Sequence, residues 1–382
     1  MSEGLSGLRI GLVGPLPPPA GGMAMQTRQL GELLAGAGAQ VTLVATNAAY
    51  RPRWVERWPG VRALFRLLPY LAALWRAAGR SDLLHVMANS GWSWHLFAAP
   101  AIWIASLRGV PVMVNYRGGE AAGFLSRSHR AVRFSMRRAS CLAVPSGFLQ
   151  QIFSAHGMQS VVLPNIVDLA RFRPAEGGLP KEPPQELPKG PPKEPHLLVA
   201  RNLEPLYDNA TALRAFALVR VRHPAARLTI AGTGPEQAAL EQLAQELGVR
   251  AAVHFAGRVE RDAMAELLRA SHVALNPSLA DNMPNSVLEA LASGVPVVST
   301  AVGGVPFVVA DGETALLVPP GDAPAMAAAV LRLLGDAASA KRLAAAGLAE
   351  VRRYAWERVA PRLADCYRQA LGPRARRSEH PA

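Results

Sequence analysis

Cysteine is scarce in this chain: two residues, Cys141 and Cys366, in 382. Thiols so far apart in sequence make neither a disulfide framework nor a zinc signature, and they fit a reducing compartment. No apolar run is long enough to cross a bilayer, which takes about 20 residues. The longest, near Leu96 to Leu107, reads as a buried helix. The start, MSEGLSGLRIGLVGP, shows no secretory pattern and runs straight into a buried-strand pattern, so a cytoplasmic protein is expected. No D-x-D pair is present to hold a divalent ion against a diphosphate. His85, His254 and His272 sit at strand starts or within strands and read as core or surface side chains rather than ligands. No metal and no cofactor are expected. The Pro-rich loop Gly14 to Gly22 lacks G-x-G-x-x-G, which leaves a dinucleotide site unsupported.

What is there suffices for a large core. Half the residues are apolar and 18% are charged, and the length suggests two domains. The net charge of +13 is unevenly placed: residues 1–165 hold 16 Arg against 5 acids, whereas 196–372 hold 17 basic and 17 acidic residues. A basic half attracts phosphates, whether of an anionic lipid, a nucleic acid or a phosphorylated substrate. The stretch Arg51 to Arg80 has seven Arg, one Glu and three Trp with Leu and Phe between them. That composition suits an element lying in a membrane interface, or else a surface helix packed on a sheet. A second basic set, Arg127, Arg130, Arg133, Arg137 and Arg138, follows at near-helical spacing. With no recognised reader motif, nucleic acid is not the expected partner; an anionic membrane surface is.

The first half alternates strands and helices. LRIGLVG, VTLVAT, DLLHVMA, PVMVNYR and SCLAVPS read as buried strands, with a helix over Met23 to Gly36. Alternation of this kind implies a parallel sheet covered on both faces. A Pro/Lys/Glu tract interrupts the pattern, which restarts with HLLVARN, ARLTIAG, AVHFAGR, HVALNPS, VPVVST and ALLVPP as six strands. The expected organisation is therefore an α/β chain of two Rossmann-like, doubly wound domains, 1–170 and 196–353. A linker over 171–195 joins them, a terminal helix over 354–371 is free to return to the first domain, and 372–382 form a tail. Ligands of such sheets sit at the carboxyl ends of the strands, so two domains facing one another would form a cleft.

The segment after HVALNPS contains an acid, Asp281, then seven residues and a second acid, Glu289. Pro284 and Asn285 suit a helix start. Asp281 would lie in the loop before that helix and Glu289 about a turn inside it. Two acids so placed can accept hydrogen bonds from sugar hydroxyls, and the helix start offers backbone N–H groups to a phosphate. From spacing alone, a solvated loop acid and an ordinary helix glutamate fit equally well. Gly21 and Gly22, without side chains, would let their backbone approach a phosphate or acceptor, or mark a tight turn.

SLADNMPNSVLEALASGVPVVSTAVGGVPFVVADGETALLVPPGD resembles the donor-binding signature of glycosyltransferase family 4, retaining enzymes of the GT-B fold. LEPLYDNATALRAFALV and TIAGTGPE resemble further blocks of that family's donor domain, and PLPPPAGGMAMQTRQL, NYRGGEA and LPNIVDLARFRP blocks of its acceptor domain. The resemblance implies that Glu289 holds the nucleotide ribose, Asp281 the donor sugar and Arg201 the diphosphate. Asn282, Met283, Pro284 and Asn285 would line the donor site, and the Gly303 and Gly304 backbone would pass close to it. Gly232, Gly234, Gly257 and Arg258 would line the base pocket. Three positions depart from the family's pattern. Asp281 stands for the usual Glu, Tyr207 for a Lys, and Arg117 for a His. Losing the Lys should weaken stabilisation of the leaving diphosphate. Arg117 cannot serve as a base but can grip a phosphate and supply some of the missing charge.

The resemblance thus implies metal-independent, retaining transfer of a hexose from a UDP- or GDP-linked sugar to a hydroxyl, lipid-linked or on a saccharide, in surface polysaccharide or glycolipid assembly. The alternatives are a GT-B sugar-nucleotide epimerase and a weakened nucleotide-sugar-binding protein.

Overall fold

The computed structural model describes residues 4–18, 21–49, 59–174 and 194–372, with no side chain described over 59–64. The first part of the Arg51 to Arg80 stretch, most of the linker and the tail lie outside the described residues. The chain divides into two units. One comprises the residues up to Ile166 together with those from Trp356; the other is Val167–Ala355.

In the first unit, β1 (Arg9–Gly14), β2 (Gln40–Ala45), β3 (Leu83–Ala88), β4 (Val112–Tyr116), β5 (Cys141–Val144) and β6 (Val161–Val162) form one parallel sheet in the order β2-β1-β3-β4-β5-β6. Five of these strands were legible; the two-residue β6 was not, being too short to carry a pattern. β3, β4 and β5 are buried throughout, which their continuous apolar runs require, while half of β2 at the edge is exposed. The helices are α1 (Gly22–Gly36), α2 (Pro59–Ala78), α3 (Ala99–Leu107), α4 (Ala121–Met136) and α5 (Gly147–Ala155). The run expected as one buried helix is a π-helical turn, Trp94–Ala98, leading into α3, whose Ala101, Ile102 and Ala105 are buried.

The second unit repeats the design with β7 (His196–Val199), β8 (Arg227–Ala231), β9 (Val253–Gly257), β10 (Val273–Asn276), β11 (Val297–Thr300) and β12 (Leu316–Val318), in the order β12-β11-β10-β7-β8-β9. All pairings in both sheets are parallel. Its helices are α6 (Asn209–Arg222), α7 (Gln237–Glu246), α8 (Arg261–Arg269), α9 (Asn285–Ala292), α10 (Ala323–Gly335) and α11 (Ala337–Val351). Aspartates start three of them: Asp208, Asp322 and Asp336 each accept the backbone N–H three residues on. Each such cap stabilises by about 1 kcal/mol.

The last helix, α12 (Trp356–Leu371), packs on β3, β4 and β5 of the first unit. Val359, Leu363 and Tyr367 join Leu12, Leu83, Met87 and Met113 in one core cluster. Truncating Leu363, which has no exposed surface, would cost roughly 2–5 kcal/mol. The same cluster holds both cysteines, although they are distant in sequence.

Candidate active site

In the second unit the strand order reverses direction between β7 and β10, the place where an open parallel sheet accepts ligands at its carboxyl edge. The chain leaving β7 carries Arg201, and the chain leaving β10 carries Ser278 and Asp281. Arg201 donates to Ser278 Oγ through Nε at 3.2 Å and Nη2 at 2.8 Å. It is also ion-paired with Asp281, and its guanidinium lies over the Tyr207 ring, 4.4 Å from the centroid. Burial pulls the Arg201 pKa down to about 10, opposed by Tyr207 and Glu289; it stays charged at neutral pH.

Beneath the arginine is a buried hydroxyl and amide chain. Ser278 Oγ donates to Asn276 Oδ1 at 2.9 Å, and Asn276 Nδ2 donates to Ser299 Oγ at 2.9 Å. Ser299 Oγ donates to the Thr300 carbonyl at 3.2 Å, and Thr300 Oγ1 returns to the Ser278 carbonyl at 2.6 Å. Sequence reasoning missed these supports. Their only signal is polar residues ending two otherwise apolar strands, ALNPS and VVST.

Asp281 Oδ1 accepts the N–H of Asn282 at 2.9 Å, and the Asp281 carbonyl accepts the N–H of Gly304 at 2.8 Å. That second bond fixes the turn in which Gly303 takes φ +52°, a left-handed conformation that favours glycine. Asn282, Met283 and Pro284 are buried in the loop, and Pro284 precedes the first residue of α9, Asn285. Glu289 lies one turn into α9. Its carboxyl is pushed up to about 7, by burial first and then by Asp168, against the opposing charges of Arg261, Arg171 and Arg201. Asp168, Arg171 and Arg261 form their own ion-pair cluster, with Arg171 to Asp168 at 3.3 Å and Arg261 to Asp168 at 3.8 Å. None of these three was foreseen as a neighbour of Glu289.

The glycines differ in what demands them. A Cβ on Gly232 would run into the Arg201 carbonyl, and one on Gly234 into the Leu203 carbonyl. The two loops are stitched together by Leu203 N–H to the Thr233 carbonyl at 3.1 Å and Glu236 N–H to the Leu203 carbonyl at 3.1 Å. These glycines therefore set the position of the Arg201 backbone. Gly257, at φ +62°, ends β9 beside a register shift in its pairing with β8. Arg258 points to solvent and pairs with Glu260 at 2.9 Å.

In the first unit, Gly21 caps the N-terminus of α1 and Gly22 is its first residue. Arg117 follows β4. It donates through Nε to Asn115 Oδ1 at 3.0 Å and through Nη1 to Asn165 Oδ1. Burial lowers its pKa to about 10, again leaving it charged. Among the described residues no group of three His, Cys, Asp or Glu side chains is placed to hold a metal ion, and no helix is long and apolar enough to cross a membrane.

Comparison with known proteins finds two family descriptions in the chain. "Glycosyl transferases group 1" matches residues 194–336 and "Glycosyl transferase 4-like domain" matches residues 21–165. Glycogen synthase of Mycobacterium tuberculosis (strain CDC 1551 / Oshkosh) is 28% identical over 401 residues, 94% of this chain and 94% of that protein. The structure of sucrose-phosphate synthase from Thermosynechococcus elongatus matches with a TM-score of 0.73 at 23% identity, over 94% of this chain and 98% of that one. Anabaena HepE in complex with UDP-glucose matches with a TM-score of 0.69 at 16% identity, over 94% and 99%. At these identities the two structures speak for the fold.

Proposed function

Because the chain is a glycosyltransferase of the family 4 type with the GT-B fold, we propose that it moves a hexose from a nucleoside-diphosphate sugar to a hydroxyl with retention at the anomeric carbon. The observation that carries this reading is the Arg201–Ser278–Asp281 constellation at the switch point, with Glu289 one turn into the adjoining helix. Arg201 is a buried, always-charged fork whose geometry suits a diphosphate. Asp281 accepts hydroxyls of the sugar, and Glu289 accepts those of the ribose. The acceptor oxygen bonds to the anomeric carbon as the bond to the β-phosphate oxygen breaks on the same face. The acceptor's proton passes to the leaving phosphate, so no enzymic base is needed. Arg201 and Arg117 stabilise phosphate charge, and no metal takes part. Turnover that survives excess EDTA supports that last point, and its loss overturns it.

UDP is the base to test first, since a structural relative holds UDP-glucose. A thermal-shift screen of UDP-, GDP- and ADP-sugars identifies the donor, because a bound ligand raises apparent stability by mass action. Stabilisation by none of them defeats the donor reading. Formation of an isomeric sugar nucleotide without acceptor assigns an epimerase instead.

The acceptor is lipid-linked in this reading, and the first unit attaches to an anionic membrane. Its support is the basic half and the face built by α2, α3 and α4, where Leu68, Trp75, Leu107 and Phe134 are exposed. There Arg108 lies over Trp75 at 4.7 Å, and Arg138 over Trp103 at 3.7 Å. Arg and Trp together suit the headgroup boundary. Cosedimentation with phosphatidylserine-containing vesicles at low salt, abolished at high salt, supports attachment; no binding at low salt sinks it.

A further inference from the structure

The first unit contains a line of hydrogen bonds that the reaction described above does not explain. Arg117 Nε donates to Asn115 Oδ1 at 3.0 Å, Asn115 Nδ2 lies 3.1 Å from His85 Nε2, and His85 Nδ1 lies 2.8 Å from Tyr367 Oη. His85, Asn115 and Tyr367 have no exposed surface. The line crosses from β4 through β3 to α12, joining residues 282 apart in sequence at its last step.

Its polarity is determined throughout. A guanidinium only donates, so Asn115 must present its oxygen to Arg117 and its NH2 to His85. His85 Nε2 must then accept, which leaves the proton on Nδ1 and makes Tyr367 Oη the acceptor. A second ring proton would set N–H against N–H. Burial and the charge of Arg117 act the same way, holding the His85 pKa near 3. The Tyr367 ring also packs edge-on against His85, at 5.8 Å and 85°.

We propose that His85, Asn115 and Tyr367 are positioning residues for Arg117, so that a line anchored on the C-terminal helix sets the direction of its guanidinium. The proposal rests on the reading of Arg117 as a phosphate-gripping cation. Apolar side chains would fill the same space without desolvating an imidazole, an amide and a phenol; a polar line adds a defined geometry at its end. Arg117 is held from the other side as well. Asn165 Oδ1 accepts from it, and the next residue, Ile166, is tied to α1 by Gln26, whose Nε2 donates to the Ile166 carbonyl at 3.1 Å. A guanidinium fixed between two amides and a sheet is pre-organised, which is what phosphate recognition requires.

Tyr367→Phe keeps the ring and removes the acceptor. Side-chain 15N NMR of the full chain should show His85 as the Nδ1–H tautomer at pH 6 to 8, with a resolved, slowly exchanging Arg117 Nε–H signal. In Tyr367→Phe the Nδ1 proton loses its acceptor, the imidazole and the Asn115 amide are no longer braced, and the Arg117 signal shifts and exchanges at least about tenfold faster, the scale set by one lost buried hydrogen bond. An unmoved Arg117 signal, whatever happens to Tm, overturns the proposal. Asn115→Leu, close to isosteric, is the second variant and should move the same signal.

Turnover of the nucleotide sugar found by the thermal-shift screen separates this from general packing. Tyr367→Phe should lower kcat about tenfold with donor KM little changed, and should lower it no further in an Arg117→Ala background. Equal losses in both backgrounds also overturn positioning. If the NMR signal moves but Arg117→Ala alone turns over normally, the line stands and the phosphate role of Arg117 falls.

Discussion

Each unit places a largely buried arginine just past the carboxyl end of a parallel strand, Arg117 after β4 and Arg201 after β7. Burial lowers both pKa values to about 10, and each stands on a hydrogen-bond chain whose polarity the guanidinium dictates. The partners differ. Arg201 meets a carboxylate and an aromatic face, and Arg117 donates to the side-chain amides of Asn115 and Asn165. The charge of a cation paired with Asp281 is largely neutralised. On the proposed reading, the sugar's hydroxyls would engage the acid and the diphosphate the arginine, so that one ligand satisfies both groups together.

The largest effect to expect is that of Arg201→Ala. Losing the charge on the leaving phosphate should lower kcat on the order of 10³-fold in steady-state turnover. Tm should fall too, because Asp281 is left desolvated without its cation, at about 3 kcal/mol. Arg117→Ala should lower kcat by about 10- to 100-fold. Equal losses of kcat from the two variants would show that both arginines carry the leaving charge to the same degree, against this ranking.

A pH effect comes next. The Glu289 carboxyl is raised from its ordinary value to about 7, so the folded state holds its proton more tightly than the unfolded chain does. Its contribution to stability is therefore complete below about pH 4.5 and is lost as pH rises through about 7. Ribose hydroxyls need the ionised form as acceptor, so UDP affinity should rise between pH 6 and 8, by up to about tenfold per unit on the acid side. Calorimetric titration of Glu289→Gln should give a pH-independent and weaker affinity; an unchanged profile removes Glu289 from the ribose.

The smallest effect belongs to Tyr207. Tyr207→Leu removes the ring beneath Arg201 and should raise the barrier by about 1 kcal/mol, a few-fold in kcat, whereas Tyr207→Phe should be nearly neutral. Equal losses from both would show that the hydroxyl, not the face, matters.

Sequence reasoning read the covalent spacing well and the lateral contacts poorly. The helix start at Asn285, Asp281 in the loop before it and Glu289 a turn inside are local facts, fixed by Pro284 and an apolar period. The last helix, expected over 354–371, runs from Trp356 to Leu371. Tyr207, expected among the substrate-binding residues in place of a lysine, lies under the Arg201 guanidinium, a stacking that depends on where the loop after β7 returns. His85 reads correctly as a core residue, yet its link to Tyr367 depends on which sheet face α12 covers. The two cysteines looked unrelated for the same reason.

The return of α12 to the first sheet also has a consequence for synthesis on the ribosome. Leu12, Leu83, Met87 and Met113 emerge early, but the helix that covers them is made only after the entire second unit. At about 5–20 residues per second that wait is roughly 10–40 s. Throughout it the nascent first unit carries an open apolar sheet face, and the line to Arg117 has no far end. A chain released before Tyr367 could fold its second unit, yet would leave this face bare and open to chaperones and proteases.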